Sequence, residues 1–149
     1  RALADRCIDE AVARRRLMLL VDTNVLVDVL QNDPQWADWS IAQLRAQAKL
    51  HALAINPVIY AEMSLSFSTL EALDDVVLTM ALEPREIPRP ALFLAARAYA
   101  LYRRRGGSKG QVLPDFFIGA HAAVEGWPLL TRDASRFKTY FPTLDVIAP

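Results

Sequence analysis

The sequence predicts an α/β domain whose parallel sheet is covered by helices on both faces. Three observations carry this. Leu17-Met18-Leu19-Leu20-Val21 is a continuous apolar run closed by polar residues, the pattern of a strand buried on both sides. Further short apolar runs alternate with stretches of helical period, as βα units do. Prolines and glycines fall where helices should open and close. At 149 residues the chain has room for one domain.

After the first strand, Val25, Leu26, Val29 and Leu30 repeat at helical spacing. Ala37, Ile41, Leu44 and Ala48 mark a second helix, with Pro34 near its first turn. His51 to Ile55 reads as a second strand. Asn56-Pro57 is an N-cap followed by proline at the first helical position, opening a helix that carries Glu62. A helix is expected over Thr69 to Met80, and a weak strand interrupted by Pro84 over Leu82 to Ile87. Pro90 opens a helix with Leu92, Ala95, Ala96, Tyr99 and Tyr102 on one face, stopped at Gly106-Gly107. Pro114 opens another, with Phe117, Ala120 and Val124 inward, closed by Gly126. Leu129-Leu130-Thr131 is a short strand, a helical turn follows Asp133, and Leu144 to Ala148 is a terminal strand.

Residues 1–17 differ from the rest. They hold five arginines against three acids, and without them the chain is net −2 rather than neutral. They read either as an extension, upstream-encoded or non-native, before a domain over 18–149, or as an ordinary N-terminal helix. Hydrophobic residues make up 53% and charged ones 23%, which fits a globular chain rather than a disordered one. No apolar run approaches the ~20 residues that cross a bilayer. Asp5, Asp9 and Glu10 interrupt any secretory leader, so a cytoplasmic location is expected. Cys7 is the single cysteine, which excludes an intrachain disulfide and cysteine-based metal sites.

The chemistry lies in four acids. Asp22 follows the first strand, and Asp133 lies just past Leu129-Leu130-Thr131. Asp115 falls in the first turn of a helix, and Glu62 projects from the helix opened by Asn56-Pro57. Ligands of open α/β sheets bind beyond the carboxyl ends of the strands. Four carboxylates gathered there would repel one another unless a cation neutralised them. Magnesium or manganese suits such oxygen ligands, and the combination suits phosphodiester hydrolysis. Each acid also has an ordinary reading: an Asp after a strand or in a first helical turn caps the helix, and a helix-borne Glu is solvated.

Four segments resemble a known family in order and spacing. Leu20-Val21-Asp22-Thr23-Asn24-Val25-Leu26 looks like the opening motif of PIN domains. Asn56-Pro57-Val58-Ile59-Tyr60-Ala61-Glu62 resembles the second. Leu113-Pro114-Asp115-Phe116-Phe117-Ile118-Gly119-Ala120-His121-Ala122 is similar to the third, in the form seen in VapC toxins of type II toxin–antitoxin systems. Leu129-Leu130-Thr131-Arg132-Asp133, followed by Phe137, resembles the fourth. The resemblance implies a three-layer α/β/α sandwich with a central parallel sheet of four or five strands. It implies a metal-dependent endoribonuclease that uses Mg2+ or Mn2+ and leaves 5′-phosphate and 3′-hydroxyl ends. Asp22 and Asp115 would be direct ligands, Glu62 and Asp133 direct or water-mediated ones, and Thr23, Asn24 and Thr131 supporting hydrogen-bond donors. The implied partners are RNA, a cognate antitoxin and a second copy of the chain, with no membrane.

A neutral chain must attract RNA through local charge. Arg103, Arg104, Arg105 and Lys109 precede Asp115, and Arg132 adjoins Asp133. They would grip backbone phosphates; Arg97, Arg136 and Lys138 are further cations near the acids. The arginine run equally suits a helix's last turn, where cations meet the dipole. Trp36, Trp39, Tyr60 and Tyr102 fit core packing better than base stacking, and His51 and His121 read as structural. Two other functions fit parts of the pattern. One is a PIN-type nuclease of RNA maturation or decay that has no antitoxin. The other is a phosphoacceptor receiver domain, which needs paired acids soon after the first strand and a lysine after the last, neither of which is present.

Overall fold

A computed structural model describes residues 2–6, 18–108, 110 and 112–149. Residues 2–6 are helical; the rest of the suspected extension, Leu17 of the first run and Lys109 lie outside the described residues. Strands β1 (Met18–Val21), β2 (Ala52–Ile55), β3 (Glu83–Pro84), β4 (Leu129–Leu130) and β5 (Val146–Ile147) form one parallel sheet in the order β3-β2-β1-β4-β5. Leu19 lies opposite Leu53, and Val21 opposite Leu130. From β1 the chain builds outward on one side through β2 to β3, then returns to the other side for β4 and β5. The carboxyl end of β1 is therefore the point where strand order reverses, and open α/β sheets leave a crevice at such a point.

The helices are α1 (Thr23–Leu30), α2 (Ala37–Ala48), α3 (Pro57–Ser64), α4 (Leu70–Thr79), α5 (Arg89–Arg104), α6 (Leu113–Glu125) and α7 (Ser135–Tyr140). All four residues of β1 are buried, as an apolar run at the centre of a covered sheet must be. Burial of Leu19, Leu20 and Val21 contributes roughly 1.5–3 kcal/mol each. Pro84 costs β3 little, because β3 is an edge strand and needs no donor on its open side. Asn56 caps α3 by accepting from the Ile59 N–H at 2.9 Å, and Thr69 caps α4 by accepting from Ala72 N–H at 3.1 Å.

Three helix faces differ from expectation. In α2 the buried set is Ala37, Ser40 and Leu44, with Ala48 exposed. Ser40 is tolerated inside because its hydroxyl donates to Asp28 at 3.0 Å. In α5 the inward residues are Ala91, Ala95 and Ala98, while Leu92 is exposed. Small side chains on that stripe let α5 lie close along α6. In α6 it is Phe116, not Phe117, that is wholly buried, and Val124 is exposed. Phe116 sits 5.4–5.5 Å from the rings of Tyr99, Tyr102 and Tyr140, an edge-on aromatic cluster that fixes the first turn of α6. Gly126 ends α6 in the left-handed region at φ +69°, as a C-terminal glycine should.

Candidate active site

The four acids reach the same edge of the sheet from four elements. Asp22 leaves the end of β1, and its own N–H donates to the Leu130 carbonyl of β4 at 2.8 Å. Glu62 comes from the second turn of α3, Asp115 from the first turn of α6, and Asp133 from the segment between β4 and α7. Asp22 is only 4% exposed. Its side chain makes no cap to α1, so the ordinary reading of that residue does not apply. Asp133 is exposed, and Ser135 Oγ donates to it at 3.3 Å.

Hydroxyls and amides stitch these elements together. Thr131 Oγ1 donates to Asp22 Oδ2 at 2.7 Å and accepts from the Asp133 N–H at 3.1 Å. Thr23 Oγ1 donates to Glu62 Oε1 at 2.7 Å. Asn24 Oδ1 accepts from the Arg132 N–H at 3.2 Å, and its amide reaches Thr131 Oγ1 at 3.5 Å. Deeper in, Asn56 Nδ2 faces His121 Nδ1 at 3.2 Å, which joins α3 to α6. Asn56 Oδ1 already accepts from Ile59, so the amide must donate and the neutral imidazole accepts. Burial pulls His121 down to about 4, and it stays neutral near pH 7.

The electrostatics are frustrated. Burial pushes the Asp22 carboxyl up to about 7; the charges of Asp115 and Glu62 push the same way, against the Thr131 hydroxyl and the Thr23 N–H. Burial also raises Asp115, with Glu62 and Asp133 adding to it and Arg136 opposing. These mutual influences mean that Asp22, Glu62, Asp115 and Asp133 share one electrostatic neighbourhood.

The PIN-domain family model matches residues 19–141 of this chain. The chain belongs to the PIN-domain family. No curated protein matches it. Among solved structures, a chain of VapBC2 from Rickettsia felis, bound to a fragment of its promoter DNA, is similar over 89% of this chain and 99% of that one, at 22% identity and TM-score 0.69. VapBC-1 from nontypeable Haemophilus influenzae gives 16% identity, the same 89% of this chain, 98% of the other, and TM-score 0.67. A toxin–antitoxin complex from Klebsiella pneumoniae gives 22% identity over 87% of this chain and 95% of that one, at TM-score 0.60. The five-stranded parallel sheet is thus the fold of this PIN domain and of VapBC chains alike.

The donor set of the PIN domain fits a hard divalent cation: it offers only oxygen, and its buried carboxylate lacks a counter-charge of its own. Among the described residues no three His, Cys, Asp or Glu side chains are close enough to form a ready-made cage. An ion held here would take one or two carboxylates directly and the others through its own waters, as magnesium commonly does.

The basic candidates separate by their neighbours. Arg103 is half-buried, and Arg104 and Arg105 are exposed, at the end of α5, where they also meet the helix dipole. Arg105 lies 5.8 Å from the centre of the Tyr140 ring. Arg132 is engaged elsewhere: its Nε pairs with buried Asp28 at 3.1 Å, and its guanidinium lies over Trp36 at 5.4 Å. Arg136 pairs with Asp115 through Nη1 and Oδ2 at 2.5 Å. Sequence reasoning placed Arg136 only among the cations near Asp133 and did not single out Asp28. One signal for Asp28 was available: it is a lone charge inside the apolar stripe of Val25, Leu26 and Val29, which marks a buried pair. Among the described residues, no helix is long and apolar enough to cross a membrane.

Proposed function

We propose that this PIN domain is a VapC-type toxin: a magnesium- or manganese-dependent endoribonuclease that is silenced by a cognate antitoxin. The observation that carries the reading is Asp22, a buried carboxylate aligned by Thr131, with Asp115 and Glu62 beside it. Asp22 and Asp115 would hold the ion directly, with Glu62 and Asp133 completing the ligand set directly or through water. When bound, the ion supplies the positive charge that polarises a phosphodiester and lowers the pKa of an attacking water.

The chain's own residues do the rest. Thr131 fixes which Asp22 oxygen is left free, and Thr23 does the same for Glu62. Attack by water, rather than by the RNA 2′-hydroxyl, leaves 5′-phosphate and 3′-hydroxyl ends. The arginines at the end of α5 give the RNA backbone a landing site. The VapBC and toxin–antitoxin names of the structurally similar complexes support an antitoxin partner. An arginine on such a partner would suit the acidic pocket, since guanidinium pairs well with carboxylate. A homodimer is part of the same reading.

The test is mapping of 5′-phosphate RNA ends after brief expression, alongside cleavage of single-stranded RNA by the purified full chain. Asp22→Asn and Asp115→Asn are expected to fold normally and to lose roughly 10²–10³-fold in metal-dependent cleavage. Full activity in either variant, with contaminating nuclease excluded, removes the assignment.

A further inference from the structure

Two arginines flank Asp133, and their surroundings differ. Arg132 lies against the charge of buried Asp28 and over the Trp36 face, away from the four acids. Arg136 leaves the first turn of the short helix α7, and its side chain is about one third exposed. It covers Asp115 Oδ2, and its guanidinium also lies 5.8 Å from the centre of the Tyr102 ring at the end of α5. Among the described residues this is the one ion pair made by any of the four clustered acids.

A carboxylate oxygen under a guanidinium cannot also be an inner ligand of a divalent ion, because the two cations would crowd and repel one another. While paired with Asp115, the same guanidinium also lies against the Tyr102 face by cation–π attraction, on the helix whose last turn carries Arg103 and Arg104. We propose that Arg136 is an exchangeable counter-ion of the acidic pocket. It neutralises Asp115 until a divalent cation enters, then releases Asp115 while keeping the Tyr102 face and binds RNA backbone phosphate. Metal entry and substrate grip are thereby coupled through one side chain. This rests on the nuclease reading above, but its first consequence is measurable with no RNA present.

The experiment is Mn2+ titration of the full chain by calorimetry, comparing wild type with Arg136→Gln. Losing the competing charge should tighten Mn2+ binding about fivefold. The gain in melting temperature on adding Mn2+ should also be larger in the variant. In wild type, the Arg136 Nε–H NMR resonance, assigned by its loss in Arg136→Lys, should shift when Mg2+ is added. On RNA, Arg136→Gln should raise KM more than it lowers kcat, and flatten the salt dependence of binding by about one unit. Unchanged or weaker Mn2+ affinity in Arg136→Gln, or an Arg136 resonance that ignores Mg2+, overturns the proposal whatever the cleavage activity. A lower melting temperature with unaltered metal affinity also overturns it, by reducing the contact to a structural ion pair. Failure of both proteins to bind Mn2+ defeats the nuclease reading as well.

Discussion

Helix α1 has a buried aspartate at each end, and the two are treated in opposite ways. Asp28, near its carboxyl end, is 3% exposed and receives an arginine at 3.1 Å and a serine hydroxyl at 3.0 Å. Asp22, just before its first residue, is 4% exposed and receives a threonine hydroxyl but no basic side chain. Its nearest charges are other carboxylates. Equal burial with unequal pairing separates a carboxylate whose charge the fold compensates from one whose charge it leaves uncompensated. The fold completes the first; the second is stable as an anion only when something else arrives.

The contrast can be broken most sharply by pH. Because Asp22 is raised from 3.8 to about 7, the stability it gives is full below pH 4 and is lost as pH rises through 7. Metal-free Asp22→Asn should therefore melt close to wild type at pH 4 and well above it at pH 8, by a few kcal/mol. Added Mg2+ should shrink that gap. His121 has the opposite sign: its contribution is present above 6.5 and falls away as pH drops toward about 4. Both proteins share that background, so the difference between their melting curves isolates Asp22. A gap that does not widen with pH would mean that the two aspartates are alike after all.

Asp28→Asn should do the reverse. It strands Arg132 and should cost about 3 kcal/mol in urea unfolding, with Mn2+ affinity little changed. A loss of metal binding as large as that of Asp22→Asn would erase the distinction. The smallest effect belongs to charges that are not paired with the acids. Arg103→Ala with Arg104→Ala should weaken RNA binding and lower the slope of log affinity against log salt by one to two units, with stability nearly unaltered. An unchanged slope would return these arginines to a helix-end role.

How much of this was legible in the sequence depends on how local each feature is. The four-residue strand β1, the Asn56-Pro57 cap and the acid in each motif are set by neighbours in the chain, and they read directly. The outer strands β3 and β5 fall inside the spans expected for them but shrink to two residues each, because only pairing with a neighbour sets their length. The inward face of α5 was misjudged because Leu92 was favoured over smaller neighbours, and that of α6 because Phe117 was placed inward instead of the adjacent Phe116. Close helix packing selects alanine on one side and an aromatic pocket selects Phe116 on the other. The pairs Arg132–Asp28 and Arg136–Asp115 join residues far apart in the chain. A charge count sees those side chains but cannot see whom they meet.

Asn56 carries a consequence for how freely this protein can vary. Its amide oxygen holds the start of the helix bearing Glu62, and its amide nitrogen holds the helix bearing Asp115 through His121. Aspartate would keep the first bond and could make the second only by switching His121 to the tautomer that donates from Nδ1, and serine is too short to span both. A side chain that contains none of the chemistry thus helps to set the spacing between two of the acids. Replacing Asn56 would loosen Glu62 and Asp115 together, although neither acid touches it.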